Sequence, residues 1–228
     1  MSSNSFQAIQ AVIFDMDGLL LDTERLFMAA YQQAANELGL DFPEELYQSM
    51  IGHRADSSQQ ILRDGIAVGE HADEIIDAAR RYYYTAIETK GIPLRPGVEE
   101  TIEYCEREGL PMAVATSTHK ALALIKLKHV GLLDRFTAVV SGDEVEHGKP
   151  APDIYLAAGK LLDIDITRCV VLEDSPPGLK AARAAGALAI FIPDLLPDSD
   201  DTRAIAKHVY YSLNDFLEAF KKGRVGVK

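Results

Sequence analysis

Residues 11–24 read Ala11-Val12-Ile13-Phe14-Asp15-Met16-Asp17-Gly18-Leu19-Leu20-Leu21-Asp22-Thr23-Glu24, and the other segments take their places from them. An apolar run of four stops abruptly at two aspartates and a glycine. Such a run reads as a parallel strand buried on both faces, with chemistry at its C-terminal tip. Open α/β sheets bind ligands just beyond those tips. Residues two apart on a strand share a face, so Asp15 and Asp17 are expected to point the same way unless the turn at Gly18 bends them apart. Two neighbouring carboxylates repel each other and attract a hard divalent cation such as Mg²⁺. Taken alone, the pair reads equally well as a strand end followed by a solvated acidic turn.

C-terminal to this strand, residues 24–90 carry helical signals only. Leu26, Phe27, Ala30, Tyr31, Ala34 and Leu38 follow a 3.6-residue period that ends at Gly39. A short segment follows Pro43, and another starts near Asp56 as N-cap, with Gln59 three residues on. A longer helix runs from about Asp73 to Lys90 and closes at Gly91. An ordinary crossover is short, so this stretch predicts a separate helical subdomain over 23–92.

From Pro93 helices and strands alternate: helix 97–108, strand Met112–Thr116, helix 118–130, strand Thr137–Ser141, helix 151–162, strand Cys169–Leu172, helix 176–185, strand Leu188–Ile192, and a last amphipathic helix over Asn214–Lys222. That alternation implies right-handed crossovers and a parallel sheet. The expected fold class is therefore α/β, a Rossmann-like parallel sheet core (1–22 and 93–228) with an inserted all-helical cap. Asp15, Asp17, Thr116, Ser117, Glu173 and Asp174 all fall at or just past strand tips. Lys149 lies at the start of the helix after the loop that follows Thr137–Ser141. A sheet-edge active site requires this clustering.

The 228 residues are 47% hydrophobic and 25% charged, ordinary for a globular protein. A net charge of −12 argues against nucleic acid or an anionic membrane as partner, but not against a phosphorylated metabolite held by local cations. No apolar run is long enough to span a bilayer. Met1-Ser2-Ser3-Asn4-Ser5 lacks the basic flank and apolar core of a signal peptide. Cys105 and Cys169 sit in apolar-periodic segments and read as buried free thiols of a reducing, cytoplasmic protein.

Four motifs in order identify a resemblance. Asp15-Met16-Asp17-Gly18, Met112-Ala113-Val114-Ala115-Thr116-Ser117, Gly148-Lys149-Pro150 and Val170-Val171-Leu172-Glu173-Asp174-Ser175 resemble the four motifs of the haloacid dehalogenase-like superfamily. The helical stretch resembles the cap that the β-phosphoglucomutase and phosphatase members carry between the first two motifs. The resemblance implies a Mg²⁺-dependent phosphatase of a small phosphorylated metabolite: a sugar phosphate, polyol phosphate or nucleoside monophosphate. It implies Asp15 as nucleophile and Asp17 as the group that protonates the leaving oxygen and then deprotonates water. Asp15, the Asp17 backbone carbonyl and Asp174 would hold Mg²⁺, with Glu173 orienting a metal-bound water. Thr116 and the Ser117 amide would hold phosphoryl oxygens, and Lys149 would neutralise the phosphoryl group and Asp15.

Plainer readings stand beside these. Thr116 can be a helix N-cap, Lys149 a solvated loop lysine, and Glu173-Asp174 acids favoured by a helix dipole. Ser175 is the natural N-cap there, with prolines in the first turn. His147 reads as a loop histidine and Tyr82-Tyr83-Tyr84 as cap packing. Gly52-His53-Arg54 form a glycine turn with two donors where related proteins carry a substrate loop, and a solvated turn reads as well. His119 and Lys120 are further candidates for a distal phosphate.

A β-phosphoglucomutase-like phosphomutase shares all four motifs. Phe27 stands where that enzyme carries a histidine, which weighs against it. A haloacid dehalogenase needs neither metal nor a second aspartate. A non-catalytic binding protein would be expected to lose part of the acid set, and all of it is here. No extra interface is evident, which favours a monomer.

Overall fold

The computed structural model describes residues 9–65 and 68–226. The N-terminal residues read above against a signal peptide lie outside the described residues. Strand β1 (Ala11–Phe14) is buried along its whole length. It sits in the middle of a six-stranded parallel sheet with β2 (Met112–Thr116), β3 (Ala138–Ser141), β4 (Cys169–Glu173), β5 (Leu188–Phe191) and β6 (His208–Val209), in the order β3-β2-β1-β4-β5-β6. Chain connectivity runs outward from β1 in both directions, so the order reverses beside β1 and opens a crevice at its tip.

Register decides which side chains meet there. Phe14 pairs with Val114 on one side and Leu172 on the other. Asp15 therefore stands level with Ala115 and Glu173, one residue past the paired strand. The amide of Asp15 still donates to Leu172 O at 3.0 Å, extending the ladder by one residue.

Alternate strand residues feed two apolar layers, because successive side chains point to opposite faces. Val12, Phe14, Val114, Val170, Leu172 and Ile190 pack against α5 (Val98–Arg107), α6 (Lys120–His129) and α10 (Leu213–Lys221). Ile13, Ala113, Ala115, Val171 and Phe191 pack against α7 (Asp153–Leu161) and α8 (Pro176–Ala185). The cysteines Cys105 and Cys169 are buried and unpaired. Among the described residues no helix is long and apolar enough to cross a membrane.

Between β1 and β2 lie α1 (Glu24–Glu37), α2 (Glu44–Gln48), α3 (Ala55–Asp64) and α4 (Ala72–Lys90). They enclose a third apolar cluster, with Ala30, Ala34 and Ala35 of α1 against Ile75, Ala79 and Tyr83 of α4. The small residues of α1 let the two helices approach closely. α3 starts at Ala55, one residue before the expected N-cap. Arg54 takes the extended cap conformation, and Asp56 lies in the first turn, where it accepts from the amide of Ser57.

The two connections to this helical region run side by side: Asp22 N donates to Pro93 O at 2.9 Å. Asp194, in the loop after β5, clamps both. Its Oδ1 lies 2.6 Å from Arg25 Nη1 and 2.7 Å from Arg95 Nη1. Leu195 and Leu196, next in that loop, pack against the helical cluster. A helix α9 (Asp200–Ile205) and the two-residue edge strand β6 follow; both were absent from the sequence reading.

Candidate active site

Lys149 reaches the sheet edge from the loop after β3. Its ammonium donates to Asp15 Oδ1, to Glu173 Oε1 at 2.6 Å and to Ala115 O at 3.2 Å. Glu173 is saturated. Tyr155 O–H also donates to Oε1, while the amides of Asp174 and Ser175 and the Ser175 hydroxyl donate to Oε2. Lys149 is thus a buried, paired cation rather than a solvated loop lysine. Ser175 caps α8 through Gly178 N, as its place before two prolines leads one to expect.

Asp15 has the electrostatics of a crowded acid. Burial, with Glu173 adding to it, outweighs Lys149 and pushes its carboxyl up to about 8. Burial pushes Asp174 well above the usual carboxylate range, and Asp15 and Glu173 push it further; none of the leading contributions to its shift comes from a cation. Carboxylate oxygens of Asp15, Glu173 and Asp174 lie within 4.8 Å of one another. Glu173 is taken up by its protein donors, so Asp15 and Asp174 are the hard oxygen donors left to meet Mg²⁺, which prefers oxygen and tolerates few protein ligands. The donor set therefore fits that ion.

The Asp17 carboxylate is outside this group. It turns to Thr23 Oγ1 (2.6 Å), Thr118 Oγ1 (2.7 Å) and the Lys126 ammonium (2.6 Å). Burial alone would raise its pKa, but the charge and hydrogen bond of Lys126, with the two threonines, take it below the usual value. The resemblance implies one lysine, Lys149, beside these acids; the structure adds a second, buried lysine, Lys126. Its only sequence signal is a place beside Ala123 and Leu127 on the buried stripe of α6.

Above these groups is a cavity of about 570 Å³ that Asp15, Asp17, Thr116 and Asp174 line from the core, with Gly52 and His53 lining it from the helical region. Thr116 is no helix cap: α6 begins after His119, and Asp143 accepts from the amide of Lys120 instead. The Thr116 hydroxyl accepts from Thr118 N at 3.1 Å. Ser117 Oγ donates to Gly52 O at 3.1 Å, so the second motif touches the helical region. Gly52 has φ +81°, and a Cβ there would come within 2.5 Å of Ser175 Oγ. Only glycine allows this turn to lie so close to the fourth motif.

The remaining candidates separate. Arg54 does not line the cavity; its side chain lies against the backbone of Gly148. Lys120 turns to Val139 O and Glu144, whereas His119 lines the cavity. His147 bonds Asp153 at 3.1 Å. Tyr83 stacks on Phe27 with ring centroids 3.6 Å apart, and Tyr84 faces the cavity. Glu24 also lines the cavity. It accepts from Tyr47 O–H at 2.7 Å, and burial and the nearby Asp17 push it up to about 7.

The sequence profile of the haloacid dehalogenase-like hydrolases matches residues 12–192. A phosphorylated carbohydrates phosphatase of Thermotoga maritima is 35% identical over 189 residues, covering 80% of this chain and 84% of that protein. The fructose-1-phosphate phosphatase YqaB of Escherichia coli K12 is 34% identical over 192 residues, covering 81% and 97%. The crystal structure of CbbY from Rhodobacter sphaeroides in complex with phosphate superposes with a TM-score of 0.75 at 29% identity, over 91% of this chain and 96% of that one.

Proposed function

Because the chain belongs to the haloacid dehalogenase-like hydrolase family, we propose that it is a Mg²⁺-dependent phosphatase of a small phosphorylated metabolite, working through a phosphoryl group carried on Asp15. Sugar phosphates lead the candidate substrates, with polyol phosphates and nucleoside monophosphates beside them. The observation that carries this is the strand-tip arrangement of Asp15 with Lys149 and the uncompensated Asp174 at the floor of a metabolite-sized cavity.

In the first step an Asp15 oxygen attacks phosphorus. The ester P–O bond breaks, and the leaving oxygen takes a proton from Asp17. In the second step water attacks the phosphoryl–aspartate, and Asp17 accepts its proton. The Asp15 carboxylate is restored and inorganic phosphate leaves. The ionised form held by Lys126, Thr23 and Thr118 is the one that accepts a proton in this second step. Thr116 and the Ser117 amide hold phosphoryl oxygens, and Lys149 offsets the charge on them and on Asp15. Asp15, Asp174 and the Asp17 carbonyl would hold Mg²⁺, with Glu173 beside them. When bound, Mg²⁺ supplies positive charge that keeps the carboxylates ionised and lowers the repulsion met by a dianionic phosphate.

We assign residues 23–92 to the cap and residues 1–22 and 93–228 to the core. Gly52 and His53 face the part of the substrate that is not phosphate. Arg54, lying against Gly148, acts on the third motif. The buried free thiols fit a reducing cytoplasm, and we expect a monomer without nucleic-acid or membrane partners. A phosphomutase uses the same four motifs. Phe27, locked against Tyr83, offers no group to move a proton where that enzyme carries a histidine.

Release of inorganic phosphate from p-nitrophenyl phosphate, with and without Mg²⁺, tests the reading. A screen of ~100 phosphorylated metabolites ranked by kcat/KM then names the substrate. Asp15→Asn should abolish turnover in a folded protein; activity within about tenfold of wild type would remove the nucleophile assignment. An isomerised phosphate ester in place of inorganic phosphate would establish the mutase.

A further inference from the structure

Lys126 is 2% exposed, although it belongs to a core helix whose other lysines reach solvent or surface partners. It shares the inward stripe of α6 with Ala123 and Leu127, where an apolar side chain would be the cheaper occupant. Taking an ammonium out of water costs several kcal/mol unless a charge and good geometry compensate it. Here the ion-pair partner is Asp17 Oδ1 at 2.6 Å, and Tyr83 and Phe27 stand beside the ammonium with their ring centroids at 5.3 and 5.7 Å. Both rings belong to the helical region, so the ammonium lies between the core carboxylate and the elements covering it.

We propose that Lys126 is a positioning residue, which fixes the carboxylate of Asp17 for proton transfer and is itself held in place by Phe27 and Tyr83 of the cap. The proposal rests on the reading of Asp17 as the group that moves protons. Asp17 has three side-chain donors. Thr118 holds Oδ2, while Thr23 and Lys126 converge on Oδ1. Only Lys126 is charged, and a charge-assisted bond is roughly twice as strong as a neutral one. Without it, two hydroxyls alone would orient a carboxylate that lines the cavity. A misplacement of the order of 1 Å at a proton-transfer group can cost about 10²-fold in rate. Lys126 borders the cavity, but its ammonium is already engaged by Asp17 and the two rings, so direct contact with substrate is not its role.

Lys126→Met keeps the length of the stem and removes the charge. With p-nitrophenyl phosphate and Mg²⁺, the burst that reports phosphorylation of Asp15 should change less than about threefold, because p-nitrophenolate leaves without a proton. Steady-state turnover, which needs Asp17 to activate water, should fall by about 10-fold or more, with KM falling alongside it so that kcat/KM, which phosphorylation sets, changes less than about threefold. In the Asp17→Asn background the same substitution should change turnover by less than about twofold, because its target is gone.

Equal slowing of burst and turnover would mean that Lys126 merely supports the fold. A rise in KM with turnover intact would make it a substrate contact. An undiminished loss in the Asp17→Asn background would show that it acts elsewhere. Each of these overturns the proposal. If Lys126→Met does not fold, Lys126→Gln carries the same comparison. Failure of the wild-type protein to release phosphate from any ester would instead overturn the phosphatase reading.

Discussion

The Lys149 ammonium lies 2.6 Å from Glu173 Oε1 with both side chains removed from water, and the same ammonium donates to Asp15. One cation therefore serves two carboxylates, and Asp174 shares the space without one. The excess negative charge must be carried either by bound protons or by an added cation, and the choice between them depends on pH.

Asp15, raised from 3.8 to about 8, binds its proton more tightly in the folded protein than in the unfolded chain, and Asp174 is shifted the same way. Their contribution to stability is complete below the unfolded value and is lost as pH rises towards about 8. In EDTA, the cluster should lower Tm between about pH 5 and about pH 8, and Mg²⁺ should raise Tm more at the upper pH. Asp174→Asn should flatten both effects in thermal melts. A Mg²⁺ shift independent of pH would place the ion away from these carboxylates.

Asp17→Asn should retain the fold and lose roughly 10²–10⁴ in turnover. Formation of the phosphoryl–aspartate should suffer less with p-nitrophenyl phosphate than with an alkyl phosphate, whose leaving oxygen needs a proton. Stopped-flow bursts on the two esters make the comparison. Equal losses in both bursts would argue that Asp17 donates no proton.

His53 and Arg54 are adjacent yet should behave differently. His53 lines the cavity, and His53→Ala should lower kcat/KM for the best screened metabolite by ~10-fold while sparing p-nitrophenyl phosphate. Arg54 lies against Gly148, one residue from Lys149, so Arg54→Ala should slow both substrates alike. Steady-state kinetics on the two esters separates these outcomes. A substrate-selective loss in Arg54→Ala would return that residue to the binding set.

Gly178→Ala tests the packing under Glu173. A Cβ there would stand 1.8 Å from Glu173 Oε1, so either α8 or the carboxylate has to move. The expected cost is about 1–3 kcal/mol in urea unfolding, with loss of activity as Lys149 loses its second partner. A wild-type midpoint would show that the helix yields without disturbing the site.

The sheet was legible because its central strands are buried on both faces and read as short apolar runs, with polar residues concentrated at their tips. Ser175 was legible as a cap because prolines follow it. β6 was not, since two half-buried edge residues carry no period. Six-residue α9 is likewise too short to show one. Lys126 was missed for another reason. A lysine on a helix is read as solvated unless its partner is known, and Asp17 is 109 residues away in the chain. Thr118, 101 residues from Asp17, acquires its role only when the loop after β2 meets the tip of β1, whereas Thr23 is six residues away in the chain.

Asp194 holds Arg25 at the way into the helical region and Arg95 at the way out, through one oxygen. A body moored by two lines at a single bollard can swing but can scarcely slide or twist. The easy swing would pass close to Asp194, and the far rim would travel most. The contacts to break on that rim are the 3.1 Å bond of Ser117 with Gly52, between uncharged groups, and the packing of the Arg54 side chain on Gly148. Strong mooring at one end and a weak catch at the other describe a door, and substrate would enter by the catch.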